Sequence, residues 1–291
     1  MIDVAAAGVN YPDVAQRKGL YPPPPGASDL PGLEVSGRVA AVGEGVEGWA
    51  IGNEVCALTN GGGYAESVAV PAGQCLPLPP GVSMMDAAGL PETFFTVWAN
   101  VFLGHDWPEG SRFLIHGGSG GIGSTAVQLA SAMGHEVFAT CSAAKQAFVE
   151  GLGAARAIDY RAEDFVEIVK AAGGADLILD MLGGDYVARN MAAAAPEARI
   201  VSVAFNRGAE VTVNLAPMML KRLTLTGSTL RPRTAEFKAR LAGELRETVW
   251  PIFGNGGIRP VTFATYRLDE AAEAHRAMEA GEHSGKIILT V

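Results

Sequence analysis

Residues Phe113-Leu-Ile-His-Gly-Gly-Ser-Gly-Gly-Ile-Gly-Ser-Thr-Ala-Val-Gln-Leu-Ala130 read as strand, glycine turn and helix without a break. Few folds can use such a stretch. Phe113 to Ile115 form an apolar run that can be buried on both faces, as a central parallel strand requires. The glycines then let the backbone turn sharply, and Ile122, Ala126, Leu129 and Ala130 recur at helical spacing. Gly118, Gly120 and Gly123 satisfy G-x-G-x-x-G, whose glycines permit a tight turn, the close approach of a pyrophosphate and tight packing of helix on strand. The helix start would offer free N–H groups and a positive dipole end to phosphates. Alone, the same motif also describes a glycine turn at which nothing binds, so the flanking pattern decides.

That pattern alternates. Strands are expected at 137–140, 157–159, 177–180, 200–204 and 223–226, with helices at 143–151, 162–171 and 186–195 between them. Such alternation predicts βαβ units and a doubly wound parallel sheet, where ligands bind beyond the carboxyl ends of the strands. Asp180-Met-Leu-Gly-Gly184 and Ala204-Phe-Asn206 fall at those ends.

Outside this block the pattern changes. Residues 2–9 read as a strand leading into an active-site loop. Strands at 34–42, 54–58 and 64–70, punctuated by glycines, suggest a small barrel. Tyr21-Pro-Pro-Pro-Pro-Gly26 can be neither helix nor central strand, and reads as a stiff surface loop or plain connector. Residues 83–104 read as helix, capped by Ser83 and broken at Pro91, with a second helix beginning near Glu92. A helix at 236–253, a strand at 261–265, a helix at 269–279 and a strand at 286–291 are expected to fold back on the first domain. With 291 residues the chain suggests two domains, one discontinuous. The expected boundaries are 1–90 and 230–291 for the substrate domain and 91–229 for the dinucleotide domain. The abrupt opening strand suggests that a hairpin precedes it in related chains.

Composition excludes several function classes. With 48% hydrophobic and 18% charged residues the chain is an ordinary globular one. No apolar run reaches the roughly 20 residues of a membrane span, so no membrane partner and a cytoplasmic location are expected. A net charge of -9 argues against nucleic acid as the main partner. Cys56, Cys75 and Cys141 are odd in number and form no C-x-x-C pair, which argues against a disulfide framework or a structural zinc site.

In NAD-binding turns an Asp or Glu closes the second strand and holds the adenosine ribose. Here that strand ends Ala139-Thr-Cys-Ser142, and Lys145 follows. Ser142 and Lys145 could bind a 2′-phosphate that an acid would repel, which favours NADP(H). They also read as a helix cap and a solvated charge. None of the six tyrosines has a lysine four residues on, which disfavours the short-chain dehydrogenase arrangement.

The stretches Gly8-Val-Asn-Tyr-Pro-Asp13, Gln16-Arg-Lys-Gly-Leu-Tyr-Pro-Pro-Pro-Pro-Gly-Ala27, Gly32-Leu-Glu-Val-Ser-Gly37, Pro91-Glu-Thr-Phe-Phe-Thr-Val-Trp98, the glycine turn with Gln128, Gly227-Ser-Thr-Leu-Arg231 and Gly285-Lys-Ile287 cover nearly the whole chain. In these the chain resembles the zinc-less, ζ-crystallin-like quinone oxidoreductases of the medium-chain dehydrogenase/reductase superfamily. Within them it most resembles the branch of the p53-inducible quinone oxidoreductase. The resemblance implies an α/β fold, with a Rossmann domain plus a GroES-like β-barrel domain. It also implies that Ala7 and Gly8, with Gly32-Leu-Glu34, stand where zinc-dependent relatives carry metal ligands, so that no metal is expected.

Carried over residue by residue, the resemblance implies that Asn10 and Thr96 lie near the nicotinamide. It places Gly118, Ser119, Gly120, Gly121, Ile122 and Gly123 on the pyrophosphate, and Ser142, Lys145 and Tyr160 around the 2′-phosphate. Leu182, Phe205, Asn206 and Leu230 would border the nicotinamide half. Tyr21 and Asn10 are the candidate catalytic residues, Tyr21 as a hydrogen-bond donor to a quinone oxygen. The implied activity is metal-free hydride transfer from NADPH to a quinone or other electron-poor small molecule. An NADPH-dependent enone or enal reductase, or a non-catalytic NADPH-binding structural or regulatory protein, are the alternatives. A homodimer formed through the strand at 223–226 is the implied assembly.

Overall fold

A computed structural model describes residues 1–291. The chain opens with strands β1 (Ile2–Val9), β2 (Glu34–Val39), β3 (Glu54–Leu58), β4 (Ser67–Val68) and β5 (Cys75–Pro77), and helices α1 (Tyr11–Arg17), α2 (Met84–Ala87) and α3 (Pro91–Val97). It continues through β6 (Arg112–Ile115), α4 (Gly121–Ala132), β7 (Glu136–Cys141), α5 (Gln146–Glu150), β8 (Arg156–Asp159) and α6 (Phe165–Ala171). Then follow β9 (Ala175–Asp180), α7 (Tyr186–Ala193), β10 (Ala194–Ser202), α8 (Ala216–Lys221) and β11 (Thr224–Gly227). The last elements are α9 (Ala235–Glu244), α10 (Trp250–Gly254), β12 (Thr262–Arg267), α11 (Ala271–Ala280) and β13 (Lys286–Thr290).

Two compact units result: Met1–Thr96 with Leu230–Val291, and Val97–Thr229. In the first, the sheet runs β12-β13-β1-β2-β3-β5, with β4 paired to β1. Both ends of the sequence therefore meet in one sheet, since Ala6 pairs with Thr290 and Val9 with Ile287. Alternate residues of β1 point inward, Ile2 and Val4 joining Val35, Val55, Ile287 and Leu289 in the core. In the second unit, six parallel strands lie in the order β11-β10-β9-β6-β7-β8. Sequence order reverses between β6 and β9, the switch point of a doubly wound sheet. Its core gathers Leu114, Phe138, Ile158, Phe165, Ile178 and Tyr186.

Several elements differ from the sequence expectation, each for a local reason. The loop expected after β1 is helix α1: the Asp13 carboxylate accepts the Asn10 N–H at 2.8 Å and so caps the first turn. The strand expected at 64–70 shrinks to β4, because the N–H groups of Gly63 and Tyr64 bond to Gly32 and Pro31 carbonyls instead of a ladder. The helix expected at 236–253 divides into α9, a wider turn at Leu245–Val249 and α10, where Pro251 removes an N–H. Pro91 begins α3 rather than preceding it, at the first helical position where no N–H is needed. The unanticipated α8 is tied down by Lys221, whose Nζ donates to the Met191, Ala192 and Ala194 carbonyls at 3.0, 2.9 and 2.8 Å. No helix is long and apolar enough to cross a membrane.

Phe165 is 1% exposed, stacks on Tyr186 with ring centroids 5.5 Å apart and meets the His116 ring edge-on. Phe165→Ala should destabilise the protein by about 3–5 kcal/mol in urea denaturation, the cost of an unfilled core cavity.

Candidate functional site

In the second unit the glycine turn leaves the carboxyl end of β6 and enters α4. Its glycines divide their work. A Cβ on Gly118 would lie 2.8 Å from Ala139 Cβ, and one on Gly123 would lie 2.1 Å from Gly117 O, so both are required by the protein's own packing. Gly120 is different. A Cβ there would meet only Gly117 O, at an ordinary 3.6 Å, and its φ of -75° suits any residue. The protein itself leaves that space open, which fits the approach of a pyrophosphate. No side chain caps α4, so its first N–H groups have no side-chain acceptor.

Ser142 stands at the carboxyl end of β7, and Tyr160 at the end of the adjacent β8, its N–H bonded to Cys141 O at 3.1 Å. Ser142 makes no helix-capping bond, so the capping role open to it from sequence is not realised. Tyr160 is exposed, and the guanidinium of Arg161, a cation the sequence reading did not single out, lies 5.5 Å from its ring centroid. Asp159 is the nearest strand-end acid on β8, and its Oδ1 accepts the Arg161 N–H at 3.2 Å. Lys145 closes the short turn after Ser142. Leu182, Phe205 and Asn206 are brought together by backbone bonds, Asn206 to Met181 O and Arg207 to Leu182 O. Asp180 Oδ1 shapes that loop by accepting the Leu182 N–H at 2.7 Å.

In the first unit, four of the matched sequence stretches converge on one buried polar knot. Lys286 Nζ lies 2.6 Å from Glu34 Oε1 and donates to Asn10 Oδ1 at 2.5 Å and Val9 O at 3.1 Å, which uses all three of its protons. Asn10 Nδ2 donates to Glu34 Oε1 at 2.9 Å, and the other Glu34 oxygen accepts the Glu92 N–H at 2.8 Å. Asp13 accepts the N–H groups of Asn10 and Gly32, each at 2.8 Å. The Tyr64 hydroxyl lies 3.4 Å from Asp13 and 3.1 Å from His275 Nε2. Gly8 is glycine because a Cβ there would sit 2.1 Å from Glu34 Oε1. The amide of Asn10 is thereby fixed in one orientation.

Burial drives the electrostatics of this knot. It pushes Asp13 up to about 6, against the opposing N–H groups of Gly32 and Asn10 and the charge of Lys286. Burial, then the Glu34 charge, pushes Glu92 up to about 8. Burial lowers Lys238 to about 8. Tyr21 is raised by burial and by Glu92. Its ring centroid lies 5.4 Å from Cζ of the Arg231 guanidinium. Of the other first-unit candidates, Thr96 ends that unit's first segment and Leu230, 8% exposed, begins its second. Glu34, Lys286, Asp13 and Arg231 lie in stretches matched from sequence, yet none had a role assigned there. A charged residue at the edge of an apolar run, as in Leu33-Glu34-Val35 and Lys286-Ile287-Ile288, was the available signal.

No group of three or more His, Cys, Asp or Glu is arranged to hold a metal ion. His116 is buried between Thr140 Oγ1 at 3.1 Å and Asn190 Oδ1 at 2.8 Å, a structural role.

A doubly wound sheet with a glycine turn at the carboxyl end of β6, joined in one chain to a mostly antiparallel β unit, defines the fold of dinucleotide-dependent oxidoreductases. Comparison with known proteins names the group. Residues 1–80 match the alcohol dehydrogenase GroES-like domain and residues 152–289 match the zinc-binding dehydrogenase family. The quinone oxidoreductase of Thermus thermophilus, solved also in complex with NADPH, is 31% identical, covers 100% of this chain and 90% of its own, and superposes with a TM-score of 0.82. The CurK enoyl reductase is 28% identical over 99% of this chain and 90% of its own, with a TM-score of 0.84. The synaptic vesicle membrane protein VAT-1 homolog of Danio rerio is 31% identical over 100% of this chain, which spans 63% of that relative's length. The chain belongs to the medium-chain dehydrogenase/reductase superfamily, in the group that holds the zinc-less quinone oxidoreductases, VAT-1 proteins and enoyl reductases. That superfamily uses NAD(P)H.

Two outcomes follow from the knot. Glu34→Gln leaves Lys286 buried without a counter-charge and should cost about 3–5 kcal/mol in urea denaturation. Asp13 and Glu92 both have folded values raised above their unfolded ones, so each adds stability that is full below about pH 4 and lost as pH rises through about 6 and about 8. Urea midpoints should therefore fall between pH 5 and 8, and Glu92→Gln should flatten the upper part of that fall, by about 1–2 kcal/mol at pH 8 given the partial exposure of Glu92.

Proposed function

We propose that this chain is an NADPH-dependent, metal-free reductase of quinones. The observation that carries the cofactor choice is the end of β7, which carries no carboxylate of its own and is followed by Ser142 and Lys145, with Tyr160 and Arg161 after the neighbouring strand, whose terminal Asp159 accepts the Arg161 N–H. A 2′-phosphate would gain charge-assisted bonds there, whereas an NAD-type acid would repel it. The pyrophosphate would lie over Gly120, against Ser119, Gly121 and Ile122. In the second unit Leu182, Phe205 and Asn206 are the candidate contacts of the nicotinamide half, and in the first unit Asn10, Thr96 and Leu230 are the candidates carried over from the resemblance. When bound, the reduced nicotinamide supplies hydride, and the residues of the chain hold the acceptor and exclude water. Likeness to a quinone oxidoreductase supports the acceptor class. The stretches Pro91–Trp98 and Tyr21–Gly26 support the p53-inducible branch.

Likeness to an enoyl reductase supports a second reading, reduction of enals or enones by the same hydride chemistry. Assembly is proposed to be a homodimer. The edge strand β11 is exposed, including Leu225, and Met219 and Leu220 on the preceding α8 are each 70% exposed.

Purified protein should bind NADPH at least ten times more tightly than NADH in fluorescence titrations. Gly120→Ala should keep the wild-type melting temperature within about 2 °C, yet weaken NADPH binding at least tenfold. NADPH should be oxidised with ortho- and para-quinones faster than with an enone. The reverse preference would favour the second reading, and tight NADPH binding without turnover of either acceptor would remove the reductase assignment.

A further inference from the structure

Arg231 follows Leu230 where the chain re-enters the first unit, and it is 5% exposed. Its Nε donates to Asn60 O at 2.9 Å. Lys238, itself fully buried, donates to Arg231 O at 2.8 Å and to Asn60 Oδ1, so two cations lie side by side in the interior. Arg231 is in no ion pair, and its buried Nη1 and Nη2 donate to no acceptor in the protein. Burial lowers the Arg231 pKa, opposed by Tyr21, Asp13 and Glu92. Asp13 is bound to the N–H groups of Asn10 and Gly32. Gly61 packs against the fork, since a Cβ there would approach Nη2 to 3.0 Å and the Ser28 and Leu30 carbonyl oxygens to 2.7 and 3.0 Å. The Tyr21 ring flanks the guanidinium at 5.4 Å.

A desolvated guanidinium with two idle donors is costly, and a protein that needed only packing there would carry an apolar side chain. The cost is recovered when an oxygen acceptor enters the fork, most fully when that oxygen is negative. The flanking aromatic ring suits a planar ligand.

We propose that Arg231 is the oxygen-binding residue for the electron-accepting substrate. Its Nη1 and Nη2 receive one carbonyl oxygen of a planar, conjugated acceptor seated against Tyr21. This inference rests on the reductase reading above. In the reaction, hydride adds one hydrogen and two electrons to the acceptor. The acceptor's carbonyl π-bond is spent, the dinucleotide is oxidised, and the electron pair comes to rest on the oxygen held by Arg231. A proton from water then completes the reduced product. The guanidinium thus bonds more strongly to the developing oxyanion than to the neutral carbonyl, which lowers the barrier rather than merely tightening binding.

The test compares the wild type with Arg231→Met and Arg231→Lys. Arg231→Met should lose at least 100-fold in kcat/KM for a quinone, mostly in kcat, while its NADPH dissociation constant stays within threefold. Its melting temperature should be unchanged or higher, because an unsatisfied buried charge has been removed. Arg231→Lys, which keeps the charge and loses the fork, should lose at least tenfold, and it carries the same test should the Met variant fail to fold. Independently of NADPH, benzoate should bind the wild type, read by intrinsic fluorescence, and bind Arg231→Met at least ten times more weakly. A folded Arg231→Met that keeps quinone turnover within threefold, or binds benzoate like the wild type, overturns the assignment. A wild type that binds benzoate through Arg231 but oxidises NADPH with no acceptor overturns the reductase reading and leaves the anion-binding fork standing.

Discussion

The buried pair of Glu34 and Lys286 is the contact on which the first unit depends. Each charge taken out of water costs several kcal/mol, and only mutual attraction plus complete hydrogen bonding offsets that cost. Here the bonding is complete: Lys286 donates to Glu34, Asn10 and Val9, and Glu34 accepts from Asn10, Lys286 and the Glu92 N–H. The consequence is topological. Glu34 begins β2, Lys286 begins β13, Asn10 follows β1 and Glu92 sits in the first turn of α3, so one knot fixes four segments from both ends of the chain. Apolar residues would give comparable stability at this spot but would hold no side chain in a single orientation. The knot does this for Asn10, whose amide oxygen and nitrogen each have a charged partner.

The glycine turn works by the opposite device. Gly118 and Gly123 are needed because backbone and side chains press against them, whereas Gly120 is pressed by nothing. A side chain at Gly120 would meet the protein only at ordinary contact distance, so it is the proposed pyrophosphate that such a side chain would obstruct. The same reasoning separates Gly8, whose missing Cβ makes room for Glu34, from the many turn glycines that face solvent.

How much of this was legible in the sequence follows from the range of the interactions. The parallel sheet was readable because its strands are apolar on both faces and its turns are local, so periodicity and glycine spacing suffice. Helix α1 was not, since its cap depends on the Asp13 carboxylate being held by Gly32, a residue of another segment. The strand at 64–70 failed for a like reason, as its backbone is claimed by residues 31 and 32. In the site, motif matching pointed to the stretches that hold Asn10, Glu34 and Lys286. It could not say that they touch, because a pairing 252 residues apart leaves no local period to read. Arg231 was harder still: an arginine after an apolar residue reads as surface charge unless its burial is known.

Buried charge in this unit therefore occurs in two states, and the contrast carries information. Lys286 is saturated with partners, and such a group holds structure in place. Lys238 is likewise bound, to Asn60 and to the Arg231 carbonyl. Arg231 alone of the three keeps its two terminal nitrogens idle while being almost as inaccessible. Selection for folding alone would remove that liability, since replacement by an apolar residue of similar length avoids the desolvation cost altogether. Its presence beside Tyr21 is the kind of local inconsistency that marks a site where stability has been exchanged for chemistry. The saturated cation positions and the unsaturated one reacts to what arrives, and that difference assigns the acceptor oxygen to Arg231 rather than to Lys286 or Lys238.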